Sequence, residues 1–196
     1  MPNLILDGTP VDVVDEIRLL GVQIRADLSW CSNTQSMCWS SYARLWMLRR
    51  LKPLGANTEE LLDVYDKQIR CMVEFASPVW TSGLTKAELN QIERVQKAAF
   101  AIILEDGYIS YERALQYLHR STLSDRRQEI NLTFAKKALK SDKYKHWFVE
   151  YQPTGQQSKT RIGVKNNNLL VPVEARTKGF KKSPLAYLTK LINDDN

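Results

Sequence analysis

Thr85-Lys86-Ala87-Glu88-Leu89-Asn90-Gln91-Ile92-Glu93-Arg94-Val95-Gln96-Lys97-Ala98-Ala99-Phe100-Ala101-Ile102-Ile103 carries the plainest structural signal in the chain. Leu89, Ile92, Val95, Ala99, Ile102 and Ile103 recur at threes and fours with Asn90, Glu93, Arg94 and Lys97 between them, which predicts an amphipathic α-helix. Thr85 and Glu88 read as a capping box, each able to satisfy a backbone N–H that the first turn leaves free. Gly107 closes the element.

The same period extends outward on both sides. Upstream, Asn57-Thr58-Glu59-Glu60 is a second capping-box start, opening a helix with Leu61, Leu62, Tyr65, Ile69, Met72 and Ala76 inward and a stop near Ser77-Pro78. Before it, from Asn33, Cys38, Tyr42, Leu45, Leu48 and Leu51 mark a helix that ends ahead of Pro53 and Gly55. Downstream come a short helix about Ser110–His119 and a longer one from about Ser124 to Lys140, with Ile130, Phe134 and Ala138 as its stripe. A last helix starts at Ser183-Pro184, an N-cap with proline behind it, and carries Leu185, Leu188, Leu191 and Ile192. Residues 1–30 read instead as β-structure: Leu4-Ile5-Leu6, a turn at Asp7-Gly8-Thr9-Pro10, then Val11–Val14 and Ile17–Arg25.

The expected fold is therefore mainly α. A small N-terminal β-hairpin or sheet (1–30) should pack on a bundle of five to six helices (31–150), followed by a loose, basic arm with a terminal helix (151–196). With 196 residues, 43% hydrophobic and 26% charged, the chain can bury a core. No apolar run approaches the ~18–20 residues of a membrane span, so a soluble intracellular protein, nuclear or cytoplasmic, is expected. Three cysteines without CxxC spacing and two histidines signal neither a disulfide framework nor a metal centre. Cys38 and Cys71 are expected as buried small hydrophobes, and Trp46 and Trp80 as core residues.

Charge is unevenly spread. Residues 1–110 hold 11 Lys and Arg against 14 Asp and Glu, whereas 111–182 hold 16 against 6. A positive field of that kind attracts polyanions, and it serves equally well as a solvated face.

The order of several short segments carries a resemblance. Leu19-Leu20-Gly21-Val22-Gln23-Ile24 precedes Asp27-Leu28-Ser29-Trp30, then Leu48-Arg49-Arg50-Leu51-Lys52-Pro53-Leu54, Val64-Tyr65 through Ile69-Arg70, and Glu74-Phe75-Ala76-Ser77-Pro78-Val79-Trp80. Ile92–Lys97, Leu123-Ser124-Asp125-Arg126-Arg127 and Phe180–Leu188 complete the series. In this order they resemble the C-terminal region, from primer grip through thumb and beyond, of the reverse transcriptases of non-LTR (LINE-type) retrotransposons. One departure is Cys31-Ser32-Asn33-Thr34, where that family often has His. About residues 10–50 also resemble the N-terminal region of AlkB-type tRNA-modifying homologues.

The reverse-transcriptase resemblance implies a hairpin and a thumb-like bundle that brace a primer–template duplex, whether RNA, DNA or hybrid, beside a palm-containing polymerase segment supplied elsewhere. It places Leu20 and Gly21 at the grip. Arg44, Arg49, Arg50 and Lys52 of the first long helix become candidates to face phosphates. On the helix from Ser124, Arg126 and Arg127 together with Lys136, Lys137 and Lys140 are expected to come round to one solvent side, where they follow a phosphate strand or merely solvate the helix.

Catalytic chemistry is not expected of this chain alone. Polymerisation needs clustered palm carboxylates on two metal ions, and the element that supplies them would lie ahead of the Leu-Leu-Gly strand. Asp194-Asp195 reads as a fraying tail. There is no GxGxxG, P-loop or HExxH string, and neither His119 nor His146 begins the HxD pair of an iron dioxygenase. No cofactor is expected. The competing class is a scaffold or interaction fragment with no specific ligand; an AlkB-associated role in tRNA modification finds no residues to perform it.

Overall fold

The computed structural model describes residues 4–7, 9–150, 170–173, 177, 180 and 182–195. It is mainly helical, with short antiparallel β-structure at the N-terminal end. The strands form two separate hairpins: β1 (Leu4–Leu6) with β2 (Thr9–Val11), and β3 (Glu16–Leu19) with β4 (Val22–Arg25). The apolar run from Ile17 to Arg25 is thus split by a two-residue turn at Leu20-Gly21, both with positive φ (47° and 90°). Positive φ at both central residues is the geometry that matches the twist of the flanking strands.

Helix α1 (Cys31–Leu51) buries Asn33, Thr34, Cys38, Ser41, Leu45 and Leu48. Its first turn is polar on the inside because Asn33 Oδ1 accepts the Gln23 backbone N–H at 3.1 Å and so pins β4 to the helix. Tyr42, expected inside, is 38% exposed at the border of the buried face, and Trp46, expected in the core, is 56% exposed.

The capping box at Asn57 forms as expected and starts α2 (Thr58–Val64). The helix predicted to continue through Ala76 does not stay regular. It widens into a π-helical turn at Tyr65–Arg70, resumes as α3 (Cys71–Glu74), and breaks at Ala76, whose φ is 51°. The chain reverses there into α4 (Ser77–Trp80), with Pro78 in the first turn, where its missing N–H costs nothing. Trp80 locks this corner: its ring is fully buried and its indole N–H donates to Phe75 O at 2.9 Å. Cys71, expected inside, is exposed and its thiol donates to Lys67 O. Cys38 is buried, which pushes its thiol up to about 11.

Helix α5 (Lys86–Leu104) starts at the Thr85 capping box and buries Ile92, Val95, Gln96, Ala99, Phe100 and Ile103 against α1. Phe100 meets Tyr65 edge-on at 5.5 Å between centroids. Gln96 is a buried polar hub: its Oε1 accepts Tyr65 Oη at 2.7 Å, and its Nε2 donates to Ser121 O at 2.9 Å and to Tyr111 Oη at 3.0 Å. Tyr111 opens α6 (Tyr111–Tyr117) and donates to Glu93, whose carboxylate also accepts the Leu123 N–H at the start of α7 (Leu123–Lys140).

On α7 the inward residues are Leu123, Arg127, Asn131, Ala135 and Ala138, so of the expected stripe only Ala138 is buried; Phe134 is 40% exposed. The inner face carries Arg127 and Asn131, and a hydrophobic period cannot mark a face that is partly polar. The terminal helix α8 (Pro184–Asp194), capped by Ser183, lies along α7. Ala135, Ala138, Phe148, Leu170, Leu188, Leu191 and Ile192 form a second apolar cluster there. The Asn193 side chain ties Leu170 to α8: its Oδ1 accepts the Leu170 backbone N–H and its Nδ2 donates to Leu170 O, both at 3.0 Å. Asp195 bonds Lys136 at 2.5 Å and so is held in place, contrary to the fraying tail expected. The loose arm expected at 151–169 lies outside the described residues.

Candidate nucleic-acid interface

The two grip candidates occupy the tip of the second hairpin. Leu20 is 89% exposed at a φ that a branched side chain rarely adopts, and Gly21 turns the chain over Phe75. A Cβ on Gly21 would stand 3.3 Å from Phe75 Cε1, so glycine serves both the positive φ and the close approach. Beneath the tip lies a groove of about 420 Å³ lined by Arg18, Gln23, Met37, Met72 and Phe75 among others. Only one strand of the hairpin is packed: Val22 is buried and Ile24 half-buried on β4, whereas every residue of β3 is exposed and its outer edge pairs with no described strand.

Of the four cations proposed on and just beyond α1, two are already occupied within the fold. Arg44 donates to Gln68 O at 2.9 Å. Lys52 donates to Ile103 O at 2.7 Å, where a cation at the carbonyl end of α5 meets both a free acceptor and the negative end of the helix dipole. Arg49 and Arg50 are exposed in the last turn of α1 and form no ion pair among the described residues.

The α7 expectation needs correction at three positions. Arg126 is half-buried and pairs with Glu74, Nε to Oε1 at 2.5 Å and Nη2 to Oε2 at 3.3 Å. Arg127 is only 1% exposed and points into the bundle, where Nε, Nη1 and Nη2 meet no hydrogen-bond partner. Burial lowers its pKa, with Glu93 and Glu74 pulling it back up. Lys136 is held by Asp195. The two basic clusters do not share a side, because Arg127 takes the buried face while Lys136, Lys137 and Lys140 take the outer one. At ~100° per residue a step of ten leaves them about 80° apart in any case.

What remains free is a lysine ledge at the C-terminal end of α7. Lys137 and Lys140 are exposed without an ion pair among the described residues, and Lys143, in the following turn, lies over the Tyr144 ring at 5.3 Å. Lys143 went unremarked in the sequence because it falls beyond the helix period. Unremarked too was an aromatic stripe on the outer side of α1, with Trp39 73%, Tyr42 38% and Trp46 56% exposed. Trp39, Tyr42 and Trp46 recur at threes and fours and border the stripe of Cys38, Leu45 and Leu48, so the apolar arc of α1 is wider than its buried face.

Among the described residues no three His, Cys, Asp or Glu side chains stand together to hold a metal ion, and no helix is long and apolar enough to cross a membrane. His119 is exposed at the end of α6 with φ 51°, and His146 lies edge-on to Trp147. Comparison with protein-family models, with curated proteins and with solved structures finds no match.

Proposed function

We propose that this chain is a non-catalytic nucleic-acid-binding element that braces a duplex through the phosphate backbone, as the resemblance to the C-terminal part of non-LTR reverse transcriptases implies. The observation that carries this is the lysine ledge of Lys137, Lys140 and Lys143, exposed cations without a carboxylate partner among the described residues. Such side chains gain by releasing counterions from a phosphate backbone and carry no sequence information, which suits bracing better than selection.

The open edge of β3 supports a protein neighbour as well. Ile17 and Leu19 stand 57% and 54% exposed beside unpaired strand backbone, and an edge of that kind invites another strand. In the proposed role that neighbour is the palm-containing polymerase segment. A scaffold role without nucleic acid would use the same edge.

The test is a salt titration of binding to a DNA–RNA hybrid. Lys137→Gln, Lys140→Gln and Lys143→Gln together should weaken binding irrespective of sequence and flatten the log-salt slope by up to ~0.9 for each phosphate no longer neutralised, the B-form value. An unchanged slope in a folded variant leaves the ledge as solvated surface. With magnesium, primer–template and nucleotides, the purified chain should extend nothing; extension that persists without Asp194 and Asp195 contradicts the non-catalytic role.

A further inference from the structure

We propose that the outer face of α1 is a stacking platform for single-stranded nucleic acid, in which Trp39, Tyr42 and Trp46 receive base faces while Arg49, Arg50 and Arg94 receive phosphates. The platform is a consequence of the apolar arc of α1 being wider than the face the bundle buries. Its inner stripe fills the bundle core, Tyr42 is partly covered at the border, and Trp39 and Trp46 stand mostly exposed. At ~100° per residue Tyr42 and Trp46 lie within about 60° of Trp39, so the three rings follow one line. Seven residues separate the two indoles, a rise of ~10.5 Å along the axis. None of the three rings is stacked on another aromatic ring among the described residues, and the two indoles are 73% and 56% exposed.

Charge decides what the occupant is. Exposed tryptophans and arginines also suit a protein partner, but the charges along this stripe are chiefly of one sign. Arg49 and Arg50 extend the line of rings at its C-terminal end. Arg94, exposed on α5, is close enough to Tyr42 to oppose the upward push that burial gives its phenol. Glu105 shares a shallow recess with Arg49 and Lys52 at the far end, past the rings. Aromatic faces bordered by cations are what an unpaired strand needs, since every base offers a π-face and every linkage a negative charge. A duplex offers few base faces, so the platform serves a different ligand form from the α7 ledge. It rests on the nucleic-acid reading for its ligand class but uses different residues.

The experiment measures binding of labelled oligothymidylate, oligouridylate and a DNA–RNA hybrid by anisotropy, alongside quenching of intrinsic tryptophan fluorescence. Trp39→Ala with Trp46→Ala should cut single-strand affinity about tenfold per ring, within the range of base–aromatic stacking, and leave hybrid affinity unchanged. Trp39→Phe with Trp46→Phe should restore most of it, because a ring face is kept. Arg49→Gln with Arg50→Gln should flatten the single-strand salt slope by ~0.7 for each phosphate released. Trp147→Ala, a half-exposed ring elsewhere, should change nothing. Replacing the ledge lysines should affect the hybrid alone; hybrid binding that never appears while oligothymidylate still binds removes the duplex role and leaves the platform standing. Equal single-strand affinity in parent and Trp39→Ala, Trp46→Ala protein, or no single-strand binding by the parent, overturns the platform.

Discussion

Replacing Arg127 by Met should stabilise the protein. The guanidinium is 1% exposed, its three nitrogens find no hydrogen-bond partner, and burial depresses its pKa even though Glu93 and Glu74 are near enough to pull it up. A buried donor left unmade costs ~1–3 kcal/mol, more when charged, and exchanging buried ionic groups for packed apolar ones has gained about 1–4 kcal/mol. Methionine keeps the unbranched reach of the side chain without its charge, so a gain in that range is expected. At ~2–4 °C per kcal/mol for a chain of this size, the melting midpoint should rise by roughly 2–16 °C. Urea unfolding should move its midpoint upward with the slope unchanged, which separates a stability gain from a change in the unfolded state. A loss of more than about 1 kcal/mol would refute the reasoning, because it would mean that Glu93 and Glu74 compensate the buried charge and that removing it strands them.

Gln96→Ala should destabilise by about 3 kcal/mol in urea unfolding, since it strands the Tyr65 hydroxyl and the Ser121 carbonyl inside the bundle; a loss under ~1 kcal/mol would show that neither depends on it. Cys38 should make stability fall at alkaline pH. Burial raises its thiol from 9.0 to about 11, so its contribution is complete below pH 9 and disappears as pH rises through about 11. Comparison with Cys38→Ala at pH 8 and pH 11 isolates this loss from the tyrosines, and the gap between the two proteins should shrink by roughly 2 kcal/mol. Leu20→Asn should raise stability by ~0.5–1 kcal/mol in a thermal melt, because Asn tolerates the positive φ that Leu20 holds at 47°. A lower midpoint would show that the exposed leucine makes an interaction the turn geometry does not reveal.

By itself the sequence determined every element whose signal is local. The capping boxes at Asn57 and Thr85 and the Ser183-Pro184 start form as read, because a cap is a bond between residues three apart and needs no tertiary partner. The mainly helical class followed from the apolar period for the same reason. Tertiary structure alone decided which way each helix turned where more than one face was available. On α1 the apolar arc is wider than one contact face, and contact with α5 and β4 buried Cys38, Leu45 and Leu48 while leaving Trp39 and Trp46 outside. On α7 the inward face belongs to Arg127 and Asn131, and it was packing against α4, α5 and α8, not hydrophobicity, that selected them. The break at Ala76 depends on Trp80 reaching back to Phe75, a closure no propensity announces. The fate of the cations was least legible. Arg44, Lys52, Arg126 and Lys136 find carbonyls or carboxylates 24 to 59 residues away, and Lys137 and Lys140 find none among the described residues. A lysine or arginine has the same charge in both cases; only the folded arrangement of distant acceptors determines whether it is used internally or left for a ligand.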